Sequence, residues 1–143
     1  SIGCIVADEP TTGLDVFQAG RVVSSLADLA SERRTAVVCS LHAPRSSVFA
    51  MLDDVLLMSP GGRVVFLGPG EDIASYFANL NYACPSFHNP ADFLVDLVSV
   101  DTSSKEDEAE DVARVKSLQR AWDDHEASTL APAAGSKTSA GEA

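Results

Sequence analysis

The sequence is poor in positive charge. Its 143 residues include 10 lysines and arginines against 21 aspartates and glutamates, and the formal net charge is −11. The basic residues form no stripe along the chain. Because nucleic-acid backbones are bound mainly by lysine and arginine, this composition argues against a nucleic-acid partner. It does not argue against a nucleotide, whose phosphates can be held by backbone N–H groups and a metal ion.

Long apolar runs and cysteine pairs are also lacking. No segment reaches the roughly 18 apolar residues that span a bilayer, and no basic segment begins a signal peptide. The three cysteines, Cys4, Cys39 and Cys84, show no C-x-x-C spacing, and the first two lie in apolar runs where a free thiol behaves as a small hydrophobe. We therefore expect a reducing, cytosolic environment. Since no methionine begins the sequence, we expect the chain to be the interior of a longer protein.

Apolar runs alternate with helical periodicity in the first part of the chain. "IGCIVA" (residues 2–7) and "TAVVCSL" (residues 35–41) are continuous apolar runs, typical of strands covered on both faces in a parallel sheet. Between them, apolar residues recur at helical spacing from Phe17 to Leu29, and Asp15 is a suitable N-cap. A helix between two strands predicts a parallel pair joined by a crossover.

A hairpin and further helices follow. "DDVLLMS" (residues 53–59) and "RVVFLG" (residues 63–68) flank a tight "PGG" turn, which predicts antiparallel strands. "GPGEDIASYFANL" (residues 68–80) predicts a glycine-rich loop and a short helix, and "NPADFLVDLVSV" (residues 89–100) predicts a helix capped by Asn89. The predicted fold class is α/β: parallel strands with a crossover helix, then a β-hairpin and helices.

The composition changes after Asp101. Residues 1–101 are predicted to form one folded unit, whereas residues 102–127 are strongly charged and are predicted to be an acidic linker. A thin apolar seam in that linker suits a surface helix; it consists of Val112, Val115, Leu118 and Trp122. Residues 128–143 are small and polar, and we expect them to be disordered.

Two adjacent carboxylates, Asp8 and Glu9, stand at the end of the first predicted strand, where ligands of parallel sheets bind. One carboxylate there can hold Mg²⁺. A second can orient or deprotonate a water that attacks a phosphoryl group. Neighbouring residues of a strand point in opposite directions, so the pair cooperates only if the backbone turns at Glu9, and Pro10 favours that turn. Taken alone, such a pair is more often a solvated loop.

The histidines and a second acidic pair also have functional and structural interpretations. His42 follows the second predicted strand and suits a nucleotide sensor, because its ring can donate a hydrogen bond to a γ-phosphate. A lone histidine at such a place is more often structural. We interpret His88 as a surface loop residue, His125 as solvated, and residues 53–54 as a structural acidic pair before a strand.

Longer strings point to a family. "IVADEPTTGLD" (residues 5–15) resembles the Walker B and D-loop of ABC-type ATPases, and "CSLH" (residues 39–42) resembles their switch histidine. "HAPRSSVFAMLDDVLLM", "GRVVFLGP", "ASYFANLNYACP" and "NPADFLVDLVSVD" resemble the G subfamily, of the white and pleiotropic-resistance type. The likeness covers roughly residues 1–101. Ala7 and Ala43 depart from the usual pattern, and neither removes a charged group.

The resemblance implies the C-terminal part of a RecA-like P-loop ATPase domain, in a transporter that couples ATP binding and hydrolysis to export. Asp8 would support the Mg²⁺ of bound ATP, and Glu9 would be the catalytic carboxylate. His42 would contact the γ-phosphate and act in catalysis. Asp15 would communicate with a second nucleotide-binding domain across a head-to-tail dimer. A transmembrane domain, in the same or a partner chain, would place this part at the cytosolic face of a membrane.

Two motifs of the family are missing from the sequence. It contains no G-x-x-x-x-G-K-[ST] loop and no L-S-G-G-type signature, both of which precede Walker B in this family. The chain alone is therefore expected not to hydrolyse ATP. Two alternatives stay open: a soluble ABC ATPase that acts on nucleic acid, which the acidic balance disfavours, and a truncated, non-catalytic fragment that acts only as an interaction piece.

Overall fold

A computed structural model describes residues 3–130. Its elements in chain order are β1 (Cys4–Ala7), α1 (Val16–Arg33), β2 (Ala36–Cys39), α2 (Ser46–Phe49), β3 (Asp54–Ser59), β4 (Arg63–Pro69), α3 (Ile73–Asn79), α4 (Pro90–Val98) and α5 (Lys105–Leu130). The predicted α/β class is confirmed. Of the tail predicted to be disordered, residues 128–130 end α5, and residues 131–143 lie outside the described residues.

The first two strands pair in parallel, as predicted. Their register runs from Cys4 opposite Ala36 to Ala7 opposite Cys39, and α1 provides the crossover between them. Helix α1 begins where expected, because Oδ1 of Asp15 accepts hydrogen bonds of 2.9 Å from the N–H groups of the second and third helical residues. These bonds satisfy backbone donors that lack a partner within the helix.

Burial on both faces of these strands was predicted, and this is wrong for the described part of the chain. Exposure alternates along β1 and β2, so that Val6 is 78% exposed and Val38 is 59% exposed. The half-buried residues lie on the other face, and β2 contacts α1. Cys4 is exposed as well, although its place in an apolar run favours the behaviour of a small hydrophobe. No element within residues 3–130 covers this outer face.

The last two strands form the predicted antiparallel hairpin. Asp54 pairs with Pro69 and Ser59 with Arg63, with one irregularity in the register after Leu57. The turn contains two glycines with positive φ angles of 84° and 75°, Gly61 and Gly62. Such angles suit glycine because a Cβ atom would be strained there.

The main core lies between this hairpin and the helices that follow. Its buried residues come from β4, α3, α4 and α5, and they are Val65, Phe66, Ile73, Phe77, Leu94, Leu97, Val98, Leu118 and Trp122. Helix α4 is capped as predicted, because Oδ1 of Asn89 accepts from the N–H of Ala91 at 3.1 Å. Most of the charged helix α5 faces solvent, and its apolar seam packs on β4.

Two further features of the helices complete the fold. The single-turn helix α2 was not predicted, and it places Val48 in a buried position between α1 and α4. Among the helices of residues 3–130, none is both long enough and apolar enough to cross a bilayer.

Candidate functional site at the ends of β1 and β2

The carboxyl ends of the two parallel strands lie side by side. Ala7 and Cys39 are paired in the register, and the ladder continues one step further because the N–H of Ser40 donates to the carbonyl of Ala7 at 3.1 Å. Asp8 and Glu9 therefore leave β1 beside the residue that leaves β2. The predicted acidic pair lies at the strand edge where ligands of parallel sheets bind.

Ser40 bridges the two acidic residues. Its hydroxyl donates a hydrogen bond of 2.6 Å to Oδ1 of Asp8, and the same oxygen accepts from the backbone N–H of Glu9 at 2.7 Å. These contacts join residues more than thirty positions apart. The three residues form a cluster in which one hydroxyl sets both the orientation of a carboxylate and the start of the next turn.

The backbone turns at Glu9, as cooperation between the two carboxylates requires. Its φ angle is +43°, in the left-handed region that non-glycine residues seldom adopt and that costs roughly 1–3 kcal/mol. The carbonyl of Glu9 accepts from the N–H of Thr12 at 3.1 Å, and Gly13 has a φ of 78°. In a straight strand the side chains of Asp8 and Glu9 would point in opposite directions. Because the backbone turns at Glu9, this alternation of side-chain direction ends before the Glu9 carboxylate.

The Glu9 side chain is held by the loop that follows it. The hydroxyl of Thr12 donates to Oε2 of Glu9 at 2.9 Å, whereas Asp8 is oriented by Ser40. Both carboxylates are exposed to solvent. Each therefore has an anchored oxygen and remains open to a ligand from outside this part of the chain.

The other predicted site residues take different positions. Asp15 caps α1 and is exposed, so its structural role is established by its hydrogen bonds. His42 lies in a bend after β2, is exposed, and makes no hydrogen bond or ion pair within residues 3–130. The next residue, Ala43, has a positive φ of 42°. The structure therefore joins Asp8 and Glu9 through Ser40 and leaves His42 outside that cluster.

The carboxylates at this edge suit a magnesium ion whose coordination shell is completed by a bound ligand. Within the described residues, no group of three or more His, Cys, Asp or Glu side chains forms a metal site. The cluster instead offers exposed carboxylate oxygens, and Mg²⁺ is commonly bound by one or two carboxylates, with substrate phosphates and waters completing its shell. This donor set suits an ion that arrives with a nucleotide.

Several residues that the sequence brought to attention lie outside the cluster of Asp8, Ser40 and Glu9. Asp54 begins β3, and the carbonyl of Asp53 accepts from the N–H of Gly70 at 2.9 Å. His88 is an exposed loop residue, as interpreted. His125 is also exposed, but its ring lies 5.2 Å from that of Trp122, so it packs against that side chain and is not simply solvated. Burial raises the pKa of the Cys39 thiol.

Comparison with known proteins supplies the family. The family described as "ABC-2 type transporter" matches residues 42–139. The chain is 46% identical over 127 residues to ABC transporter G family member 7 of Arabidopsis thaliana, and 44% identical over 116 residues to human ATP-binding cassette sub-family G member 8. The chain belongs to the G family of ABC transporters.

These matches cover most of this chain but only a small part of each relative. They cover 88% and 81% of this chain, but only 17% of each of these two relatives. Mouse sub-family G member 5 gives a similar result, with 42% identity over 82% of this chain and 18% of that protein. The chain thus spans less than a fifth of the length of these G-family relatives.

The bridging role of Ser40 is not predicted by the sequence motifs of this G-family chain. Ser40 lies in the string "CSLH", in which His42 is the residue with a predicted role at the nucleotide. A signal existed, because the predicted parallel pairing already placed the end of the second strand beside the end of the first. The contact itself depends on the register of the two strands and on side-chain hydrogen bonds between residues more than thirty positions apart, which no motif of the sequence specifies.

Proposed function

We propose that residues 1–101 are the C-terminal part of a RecA-like P-loop ATPase domain, and that this domain hydrolyses ATP to drive export by a G-family transporter. The observation that carries the proposal is the cluster of Asp8, Ser40 and Glu9 at the carboxyl end of a parallel strand pair. It supplies two separately anchored carboxylates at one exposed edge. One carboxylate at such an edge can hold the metal ion of a metal–nucleotide, and a second can act on water.

The two carboxylates have different roles in this proposal. Asp8 would hold the Mg²⁺ of bound ATP, and the chemistry that this ion would supply is neutralisation of charge on the phosphate oxygens. Glu9 accepts a proton from the attacking water or orients it, because its Oε2 is held by Thr12 while its other oxygen makes no hydrogen bond within the described residues.

Two further residues have roles in this proposal, one at the γ-phosphate of ATP and one at a second nucleotide-binding domain. His42 donates a hydrogen bond to the γ-phosphate, for which its exposed position after β2 leaves room. Asp15 communicates with a second nucleotide-binding domain in a head-to-tail dimer, while its Oδ1 continues to cap α1. The two roles of Asp15 are compatible because a carboxylate has several acceptor positions.

The other domain in this proposal is a transmembrane domain, which belongs to the same chain or to a partner chain. A Saccharomyces cerevisiae relative, 39% identical over 118 residues, is named an uncharacterized ABC transporter ATP-binding protein/permease, a name that joins ATP binding and a permease in one protein. By this analogy, residues 102–127 lead from the ATPase domain towards the membrane part, and the chain works at the cytosolic face. No nucleic acid takes part, in line with the net charge of −11.

The test uses the full-length transporter that contains this segment. Glu9→Gln keeps the size of the side chain but removes the base, so ATP hydrolysis should fall by about 10²–10⁴-fold while ATP still binds. Glu71→Gln is the matched control, because Glu71 is exposed and makes no hydrogen bond or ion pair within residues 3–130. Hydrolysis by Glu9→Gln at the wild-type rate would refute the proposal.

A further inference from the structure

We propose that Ser40 is a positioning residue that prepares Asp8 for the magnesium ion and keeps Glu9 in its turn at the same time. The inference rests on the proposed function, in which Asp8 holds the Mg²⁺ of ATP. It adds a residue that carries no charge and that needs to touch neither the metal nor the nucleotide. Its consequence is a specific one: the magnesium requirement of the transporter depends on the Ser40 hydroxyl.

The hydrogen bonds assign a direction to the Ser40 hydroxyl. A serine hydroxyl has one proton to donate and two lone pairs that accept. Because the N–H of Glu9 can only donate, the Ser40 oxygen accepts at 2.7 Å, and its proton is directed to Oδ1 of Asp8 at 2.6 Å. The latter distance is in the range of a hydroxyl that donates to a carboxylate. The hydroxyl thus fixes the position of Oδ1 of Asp8, while Oδ2 makes no hydrogen bond within residues 3–130.

The position of Ser40 is itself set by the sheet. Its N–H donates to the carbonyl of Ala7 at 3.1 Å, which extends the ladder beyond the last paired residues of β1 and β2. The hydroxyl is therefore fixed relative to β1 by a backbone bond, and relative to the acidic pair by two side-chain bonds. Asp8 and the turn at Glu9 cannot shift independently, since both are attached to the same oxygen atom.

Substitutions at position 40 separate the hydroxyl from the rest of the residue. Ser40→Ala removes both side-chain bonds and leaves the ladder bond in place. Ser40→Thr keeps the hydroxyl and adds a methyl group at an exposed position of a strand end, where β-branched residues are well tolerated. Loss of a hydrogen-bonding partner of a metal ligand typically lowers metal affinity by about 10–100-fold.

The experiment is a magnesium titration of ATP hydrolysis by the full-length transporter at fixed ATP, with ATP binding measured separately in EDTA. We expect Ser40→Ala to raise the Mg²⁺ concentration for half-maximal hydrolysis by about tenfold or more. ATP binding in EDTA should be unchanged, and Ser40→Thr should titrate like the wild type. The control is Ser31→Ala, because the Ser31 hydroxyl donates only to the carbonyl of Asp28, inside α1.

The outcomes separate failure of the positioning role from failure of the proposed function. An unchanged magnesium midpoint in Ser40→Ala, or an equal shift in Ser40→Ala and Ser40→Thr, overturns the positioning role while leaving the proposed function intact. Magnesium-independent hydrolysis by the wild type, or full turnover by Glu9→Gln, overturns the proposed function instead. If Ser40→Ala does not fold, Ser40→Cys is titrated in its place. Its thiol is a weak donor, so the same shift is expected, and a wild-type midpoint overturns the role.

Discussion

The hydroxyl of Thr12 donates a hydrogen bond of 2.9 Å to Oε2 of Glu9, three residues before it. The same two residues are also joined through the backbone, where the N–H of Thr12 donates to the carbonyl of Glu9 at 3.1 Å. The loop after β1 therefore holds the Glu9 carboxylate through the side chain of Thr12. This contact, like the Ser40 bridge, makes the orientation of an acidic side chain depend on an uncharged neighbour.

Under the proposed function, Thr12→Val should lower ATP turnover of the full-length transporter by about threefold to tenfold. It preserves the shape of the side chain and removes a hydrogen bond worth about 1 kcal/mol, and 1.36 kcal/mol corresponds to a tenfold change in rate. The measurement is steady-state hydrolysis at saturating Mg·ATP. Thr11→Val is the control, because the Thr11 hydroxyl makes no hydrogen bond within residues 3–130. Equal rates for the two variants would contradict the role of Thr12.

Trp122→Ala should lower the free energy of unfolding of the 143-residue chain by about 3–5 kcal/mol. Trp122 is buried, and its ring lies 5.8 Å from those of both Phe66 and Tyr76, so its removal opens a cavity between α5 and the hairpin. Urea unfolding followed by circular dichroism provides the measurement. Asp124→Ala, an exposed change on the same helix, should stay within about 0.5 kcal/mol. Similar unfolding midpoints for both variants would mean that α5 does not stabilise the fold.

Arg114 ties the end of α4 to α5. Its guanidinium donates to the carbonyls of Leu97 and Ser99 at 3.0 and 2.9 Å. Arg114→Lys keeps the charge but loses the planar fork, so the free energy of unfolding should fall by about 1–2 kcal/mol. Arg120→Lys, on an exposed part of the same helix, is the matched control in the same urea experiment. A loss as large in the control would show that the fork has no special role.

The connection between α4 and α5 should also respond to pH. The backbone N–H of Ser103 holds the pKa of Asp101 below its ordinary value of 3.8, and the N–H of Asp101 does the same for Asp111, with a further contribution from Arg114. A lowered pKa in the folded state means that the ionised form stabilises the fold. That stability is complete well above pH 3.8 and is lost as the pH falls through 3.8 towards the folded pKa.

The measurement compares urea midpoints of the wild type and Asp111→Asn between about pH 5 and pH 2. The wild type should be the more stable at the upper end, and the difference should shrink as the pH falls. Asp124→Asn, an exposed change on the same helix, should run parallel to the wild type. A difference between wild type and Asp111→Asn that stays constant over this range would contradict the assignment.

Local chemistry explains the parts of the fold that were predicted correctly. Asp15 and Asn89 cap their helices because a short acceptor side chain before a helix reaches the free N–H groups of its first turn. Gly61 and Gly62 close the hairpin because the turn needs positive φ angles. The helix α2 was missed because a single turn presents too few residues for a periodic pattern.

The sequence by itself determined the α/β class, the helix starts, the hairpin, the family and the acidic pair at a strand end. Each of these depends on residues that are close along the chain. Only the tertiary structure decided that Ser40 bridges Asp8 and Glu9, that one face of β1 and β2 is open in residues 3–130, and that the charged helix α5 packs on β4. The physical reason is that these features depend on side-chain contacts and packing between segments far apart along the chain, and the pattern within one segment does not specify such contacts.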